Sequence, residues 1–461
     1  MKIFLKGLLV RALLVICAVC FSITGVQAKE AFRFRADQEK VRIVLDVPAG
    51  AKYQDKTASN NKITLEISGN DNAPASQSIN DTLVRQISLA NNGKTQALTV
   101  DLKQQSTYKV FALSSPERIV LDIFRTATAE NIQLPKEVEY KTWVDYSSGQ
   151  AVEVYLLKLH SSKAYQIVPL LAQGKIFGRA GTQQILTDSV GGVNASYFDA
   201  AGSIYGNTKL NGLIVSAEEK LRTGLAIDPK LGYKILQATY QGNVLLPGGI
   251  NLKVTGVNRK ALYTDLIVYN DKYDTTTRTD NTGVEVVIKG NKVQQVIHNT
   301  GNTVIPKGGY VLAAFGYNIY DVANLNVGDT VILKESLGAA DAYQTFIGAG
   351  PCLVKNGRVT VNSGQEEFPR DISVGRAPRT AIGITDSQEI LLLVVDGRSA
   401  RSAGFTLEQL AECMLRLGAK EAMNFDGGGS STLVANGYVA NRPSDGAQRP
   451  VALALAIRKA K

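Results

Sequence analysis

The chain is poor in histidine: its 461 residues include only His160 and His298. A multi-histidine metal centre is therefore excluded, and a Ser-His or Cys-His nucleophile would have to use one of these two. Cysteine is almost as scarce. Of four residues, Cys17 and Cys20 lie within the first 28, which leaves Cys352 and Cys413. Two cysteines cannot build a disulfide framework, nor close a zinc site without histidine. One bridge between them in an oxidising compartment is an alternative, but they read better as buried free thiols, since Cys413 falls on a helical pattern among apolar neighbours. The single tryptophan, Trp143, is a weak basis for sugar stacking. With 44% apolar residues, 20% charged and 13 prolines against 42 glycines, the chain is neither collagenous, coiled-coil nor largely disordered. Beyond the N-terminus no apolar run is long enough to span a bilayer, and no repeat of solenoid period occurs.

What the chain does have is positive charge, 51 Lys and Arg against 41 Asp and Glu, a net +10. Residues 1–28 read as an export signal. Lys2, Lys6 and Arg11 form the basic region, Ala12 to Val19 the apolar stretch, and Val26-Gln27-Ala28 the small-residue cleavage site. Its removal leaves 48 basic against 41 acidic residues, a net +7. An exported, disulfide-poor chain points to the periplasm or cell envelope of a bacterium. Its basic surface suits anionic envelope polymers, and no motif for nucleic acid accompanies it.

The length suggests about two or three domains. Residues 32–126 alternate apolar and polar over short runs such as Val41-Arg-Ile-Val-Leu-Asp46 and Lys62-Ile-Thr-Leu-Glu-Ile67, separated by Asn- and Gly-rich turns. This is the pattern of a small all-β sandwich. Arg118-Ile-Val-Leu-Asp122 echoes Arg42-Ile-Val-Leu-Asp46. Residues 127–145 are polar and read as a linker. From 146 to 461 the pattern is mixed α and β, with about 224–303 a β-rich insertion. The whole chain is thus expected to be α+β, an all-β module followed by a mixed α/β catalytic domain.

The densest information lies near the C-terminus. Glu389-Ile-Leu-Leu-Leu-Val-Val395 is an apolar run of strand length that ends in Asp396-Gly397-Arg398. Thr406 and Gln409 form a capping box, and Leu407, Leu410, Ala411, Met414 and Leu415 follow a helical period that Gly418 ends. Ala422-Met-Asn-Phe425 reads as a second strand, ending in Asp426-Gly-Gly-Gly-Ser-Ser431. Strand, helix and strand predict a βαβ unit with parallel strands, which puts Asp396 and Asp426 at one sheet edge. Two carboxylates there can serve acid/base or nucleophilic chemistry. The turn Gly427, Gly428, Gly429, Ser430 and Ser431 can form an anion-binding nest of successive N–H groups, with Arg379, Arg398 and Arg449 as phosphate forks. A plain tight turn capped by its aspartates explains the same spacing. A Ca²⁺ or Mg²⁺ ion at the carboxylate edge stays open, although no metal cluster is evident. Asp199 reads as a turn cap, His160 and His298 as surface residues, and Cys352 lacks a nearby base.

Two resemblances narrow these alternatives. Tyr108-Lys-Val-Phe-Ala-Leu-Ser-Ser-Pro-Glu-Arg-Ile-Val-Leu-Asp122 resembles the end of AMIN domains, non-catalytic β-modules associated with peptidoglycan or other wall polymers. Gly191-Gly-Val-Asn-Ala-Ser-Tyr-Phe-Asp199, Pro378-Arg-Thr-Ala-Ile-Gly383, Val395-Asp-Gly-Arg398, Asn424-Phe-Asp-Gly-Gly-Gly-Ser-Ser-Thr432 and Asn441-Arg-Pro-Ser-Asp-Gly-Ala-Gln-Arg-Pro450 together resemble the phosphodiester glycosidase family. In the first of these motifs the chain has Asn194-Ala-Ser-Tyr-Phe198 where the family usually carries Asn-Gly-Gly-Phe-Phe, and the bulkier residues would narrow the pocket.

The resemblance implies cleavage of the sugar C1–O bond of a sugar-1-phosphodiester in a glycoconjugate or envelope polymer; apart from the Ca²⁺ or Mg²⁺ left open above, no cofactor is expected. Asp426 and Asp396 are then the candidate carboxylates, as base, nucleophile or cation stabiliser. Arg379, Thr380, Arg398, Arg449 and the turn from Gly427 to Ser431 would hold substrate, chiefly its phosphate. Asn194 and Asn424 would bind sugar hydroxyls. A non-catalytic protein of envelope-polysaccharide binding or exopolysaccharide assembly, and a metal-dependent phosphodiesterase, are the competing readings.

Overall fold

The structure, a computed structural model, describes residues 30–36, 40–57, 61–103, 106–124, 132–399 and 401–460. The export signal expected at 1–28 lies outside them. Among the described residues no helix is long and apolar enough to cross a membrane.

The N-terminal module is a two-sheet sandwich, as its alternation predicts. Strands Arg33–Ala36, Lys40–Asp46, Arg118–Phe124 and Thr107–Leu113 form one sheet in that order. A second sheet has five strands, with Lys62–Ser68, Thr95–Leu102 and Val84–Asn92 at its centre. Between them lie Val41, Ile43, Leu45, Ile63, Leu65, Leu98 and Leu121. The two similar segments pair with each other in antiparallel register, which sets Arg42 opposite Asp122 and Asp46 opposite Arg118. Arg42 makes a two-pronged contact with Asp122 at 2.7 Å, joined by Lys40.

The expected linker is shorter than its polarity suggests. Val138–Asp145 is an edge strand, paired along its length with Val152–Leu159. Lys141, Thr142 and Val144 are exposed along this edge strand, which therefore tolerates the polar residues of a linker.

That edge belongs to a seven-stranded sheet. Its order is Val138–Asp145, Val152–Leu159, Ile390–Val395, Arg379–Thr385, Ala419–Asn424, Cys352–Lys355 and Arg358–Val359, with every neighbouring pair antiparallel. One face carries the helix Leu407–Arg416, packed through Leu407, Leu410, Ala411 and Met414. The other packs on a five-stranded sheet, where Val193, Leu433, Leu455 and Ile457 meet Leu157, Ile382, Leu392 and Val394. Burial on both faces explains why Ile390–Val395 is apolar at every position. The capping box forms as expected, with Thr406 and Gln409 each accepting from the other's backbone amide.

The βαβ unit differs from its sequence reading in one respect. Ile390–Val395 and Ala419–Asn424 run the same way, but Arg379–Thr385 lies between them, antiparallel to both. The segment before residue 390 makes a tight hairpin with it, and sequence-adjacent strands take neighbouring places first. The returning strand therefore lands one position further out. The carboxyl ends of the two parallel strands still share an edge. The domain is also richer in strand than a doubly wound α/β fold, because Leu407–Arg416 is the one α-helix longer than four residues among the described residues.

Within 224–303, Arg222–Asp228 pairs with Thr345–Gly348, Gln241–Leu245 with Ile332–Ser336, and both Leu266–Asn270 and Val284–Lys289 with Tyr310–Ala314. Leu225, Ile267 and Tyr269 from these strands join the main core, while Val244, Leu266, Val284, Val286 and Leu312 build a second core of their own.

Candidate active site

Asp426 follows the strand Ala419–Asn424, and its backbone is clamped to the second sheet. Its amide donates to the Ala195 carbonyl at 3.0 Å, and its carbonyl accepts from Asn194 Nδ2 at 2.7 Å. The side chain is half-buried. Burial is the largest influence on its carboxyl and raises the pKa to about 6, against the lowering effects of the Ser430 hydroxyl, the Arg449 charge and the Gly427 amide. Ser430 stands near the carboxylate without a full hydrogen-bond geometry, and its buried Oγ has no partner. The buried hydroxyls of Ser431 and Thr432 and the Oδ1 of Asn424 also lack partners. Such atoms are costly unless a ligand or water meets them.

Guanidinium groups stand on the adjoining glycines. The exposed Arg398 lies against Gly428, where an added Cβ would come within 3.2 Å of Nη2. Arg449 and Asp445 lie against Gly429, so closely that a Cβ would collide with both. Asp445 accepts from Arg449 Nε at 2.9 Å. Glycine at 429 is required by this approach rather than by a special backbone angle.

The nest expected from successive N–H groups is not present in this arrangement. The Gly427 amide serves the Asp426 carboxylate, Gly428 donates to the Pro378 carbonyl at 2.8 Å, and Ser430 and Ser431 donate back to Gly427 and Gly428. An anion here would meet the hydroxyls and guanidiniums instead.

Asp396 is placed differently from Asp426. Only 3% exposed, it accepts from Asn441 Nδ2 at 2.9 Å and the Arg442 amide at 3.0 Å. Its own carbonyl takes the Ser402 hydroxyl at 2.6 Å. Burial raises its pKa to about 7, opposed by the hydrogen bonds from Asn441 and Arg442. Asn441 also donates to the Ser431 carbonyl at 3.0 Å, so Asp396 reaches the glycine turn through a bridging amide.

Three other expected ligand residues have their polar groups already engaged. Asn194 Oδ1 accepts from Thr380 Oγ1 at 2.8 Å and the Thr432 amide at 3.0 Å, while its Nδ2 holds Asp426. Thr380 is fully buried and committed to that contact. Arg379, 2% exposed, spends Nε, Nη1 and Nη2 on the carbonyls of Phe405, Ile372 and Gly375 at 2.9–3.0 Å. These geometries brace the edge and leave no fork for phosphate. Asn424 donates to the Tyr197 hydroxyl at 2.9 Å and keeps only Oδ1 open.

Tyr197 and Asn441 are the residues that sequence reasoning missed. The Tyr197 hydroxyl donates toward the carbonyls of Gly350 and Phe425, and burial raises its pKa. The change from the usual family residue at this position was the available signal. Asn441 opens the last of the five motifs, but only Arg449 was singled out there.

Outside the site the bland readings hold. Asp199 caps its turn by accepting from the amides of Ala201 and Ser203. Both cysteines are buried free thiols, and burial raises Cys352 to about 11. His160 pairs with Glu389 at 2.8 Å beside a cavity of about 820 Å³ at the opposite edge of the sheet. Among the described residues no three His, Cys, Asp or Glu side chains converge as a metal site.

Comparison with known proteins confirms both resemblances. Residues 282–458 match the family model described as phosphodiester glycosidase, and residues 31–110 match the AMIN domain. The N-acetylglucosamine-1-phosphodiester alpha-N-acetylglucosaminidase of Bos taurus is 34% identical over 125 residues, 25% of this chain and 23% of that protein. Its Homo sapiens counterpart is 31% identical over 125 residues, 25% of this chain and 24% of that protein. The chain thus spans about a quarter of the length of these relatives. A solved structure of a hypothetical protein from Synechocystis covers 92% of this chain and 79% of its own, with a TM-score of 0.66 and 21% identity, a likeness of fold.

Proposed function

We propose that the chain is an exported cell-envelope hydrolase that cleaves the C1–O bond of a sugar-1-phosphodiester. The observation that carries this reading is the half-buried Asp426 carboxylate beside the buried, unpartnered hydroxyls of Ser430, Ser431 and Thr432, with Arg398 and Arg449 on the adjoining glycines. The matched family and the activity in the names of the mammalian relatives support it.

The geometry suits the chemistry. As the C1–O bond breaks, its electron pair stays on the phosphate oxygen, and a water oxygen forms the new bond to C1. A phosphomonoester is a weak base and departs with little protonation, so the demand falls on cations at the phosphate and a carboxylate at the sugar. Arg398, Arg449 and the serine hydroxyls meet the first demand. Asp426 meets the second, and a pKa of about 6 keeps it ionised near neutrality, either to take a proton from water or to face the developing positive charge. Asp396, Asn194, Thr380 and Arg379 are positioning residues in this reading, and Asn441 carries the influence of Asp396 to the turn. The AMIN module would hold the enzyme on peptidoglycan or another anionic wall polymer.

The test is turnover of sugar-1-phosphodiesters in ¹⁸O-water. Label in the sugar supports C1–O cleavage. Label in the phosphate would identify a phosphodiesterase, and no turnover a binding protein; either would overturn the reading.

A further inference from the structure

Two adjoining turns hold tyrosine rings far out in solvent. Tyr263 is 81% exposed, Tyr320 77% and Tyr317 66%, and Leu262 is exposed as well. The backbone beneath them is braced. The Asp265 carboxylate accepts from Arg259 Nη1 at 2.7 Å, Thr255 Oγ1 at 2.8 Å and the Leu262 amide at 2.5 Å. Phe315 donates its amide to the Asp265 carbonyl at 2.8 Å, and Asn318 Nδ2 reaches the Thr264 carbonyl at 2.9 Å. Gly316, at φ +61°, comes so close that an added Cβ would lie 2.7 Å from the Tyr263 carbonyl oxygen. Tyr317 and Tyr320, three residues apart in a helical turn, share one face. Exposed rings on a fixed backbone meet a ligand at little further cost in ordering.

Two clefts meet at the first of these turns and share Lys260 and Leu262. One, of about 630 Å³, reaches Tyr205; the other, of about 400 Å³, lies between Tyr263 and Phe315 over the buried rings of Tyr269 and Tyr273. The first cleft opens on the loop of the carboxylate site itself. The Tyr205 amide donates to the carbonyl of Tyr197 at 2.9 Å, and the Tyr197 hydroxyl accepts from Asn424. Charge along the clefts is matched. Arg259 pairs with Asp265 at 2.7 Å, Glu219 with Lys253 at 2.7 Å, Glu218 with Arg222 at 3.4 Å and Arg278 with Asp274, while Lys260 and Asp280 line the second cleft together. An anion finds no excess of cation here. A lipid surface would meet a concavity whose one exposed aliphatic lining residue is Leu262. Tyr205 and Tyr263 instead join an apolar ring face to a hydroxyl, and a sugar ring offers the complement, a face of C–H groups rimmed by hydroxyls.

We propose that the two clefts bind successive sugar units of a glycan chain, with Tyr205 and Tyr263 as stacking platforms and Tyr317 and Tyr320 extending the surface beyond them. The inference rests on the reading of the carboxylate site given above for what lies at the near end, where units on Tyr205 would flank the scissile phosphodiester. It gives this part of the chain a role in substrate choice, favouring long glycans through ring contacts that are indifferent to charge.

The test is calorimetric binding of the linear β-1,4-linked dimer and hexamer of N-acetylglucosamine to the mature full-length chain. The wild-type protein is expected to bind the hexamer at least about tenfold more tightly than the dimer, and a roughly tenfold rise in salt should change that affinity less than about twofold. Tyr205→Ala and Tyr263→Ala should each weaken hexamer binding about five- to tenfold. Tyr438→Ala, on the hairpin that leads away from the site, removes another exposed ring and should change nothing. No binding of the hexamer, equal affinity for both probes, a steep loss with salt, or full binding by both cleft variants would overturn the proposal. Binding to phospholipid vesicles in place of the hexamer would overturn it in favour of a membrane surface. Because binding needs no turnover, a chain that holds the hexamer but hydrolyses no sugar-1-phosphodiester would remove the proposed activity and keep the clefts, and hydrolysis without hexamer binding would do the reverse.

Discussion

Replacing Asp396 with asparagine should change stability by an amount that depends on pH, and the structure fixes the sign. The carboxyl is 3% exposed, and its pKa stands at about 7 against an ordinary 3.8. For an acid with a raised folded pKa, the neutral form is the one the fold favours. Its contribution is complete below about pH 4 and is lost as pH rises through 7. The full effect is about 4 kcal/mol, of which about 2–3 kcal/mol falls between pH 5 and 8. Asp396→Asn removes this dependence. It also turns an amide N–H toward a donor, either the Arg442 amide or Asn441 Nδ2, and so loses one hydrogen bond at a cost of about 1–3 kcal/mol. At pH 5 the variant should be the less stable protein, and by pH 8 the gap should close or reverse. Urea unfolding of both proteins at pH 5, 6, 7 and 8 measures this, since titrating groups that do not interact with Asp396 cancel in the difference. A difference that stays constant across that range would refute the account of Asp396 as a carboxylate buried against its charge.

The remaining predictions concern the carboxylate that faces the turn and the groups that hold the edge. Asp426→Asn should lower turnover by at least about a thousandfold with little change in melting temperature, and wild-type kcat/KM should fall about tenfold per pH unit well below 6. Unchanged turnover, or a flat acid limb, would take Asp426 out of the reaction. Gly429→Ala should push Arg449 and Asp445 aside and raise KM about tenfold while thermal stability is preserved, which steady-state kinetics and a melt together would show. Arg379→Lys should cost about 3 kcal/mol or more in a denaturant titration, because an ammonium cannot serve three divergent carbonyls.

Much of the architecture was legible in residue order because it rests on local rules. The β-sandwich followed from alternation, and the helix from its box at Thr406 and its stop at Gly418. The shared edge of Asp396 and Asp426 followed from two strands running the same way. The strand between them was not legible, because Arg379-Thr-Ala-Ile-Gly-Ile-Thr385 reveals neither its partners nor its place in the sheet. The site shows the same division. The motifs mark where Asn194, Thr380 and Arg379 sit, but a motif does not say whether a polar group faces a ligand or the protein's own backbone. Burial decided that, and it turned three expected ligand groups into supports. The nest failed for a related reason: a glycine run allows successive amides to converge but does not keep them free of the turn's own hydrogen bonds.

Arg379 has one further consequence. Its guanidinium is held by three carbonyl oxygens, and Arg398 and Arg449 add two further guanidiniums beside the Asp426 turn. Arginine does not give up its proton in any range where the protein stays folded. The attraction this edge exerts on an anion is therefore a fixed property of the fold and cannot be tuned away by alkalinity. The carboxyls of Asp426 and Asp396, by contrast, take up protons as pH falls, and they switch the site from the acid side.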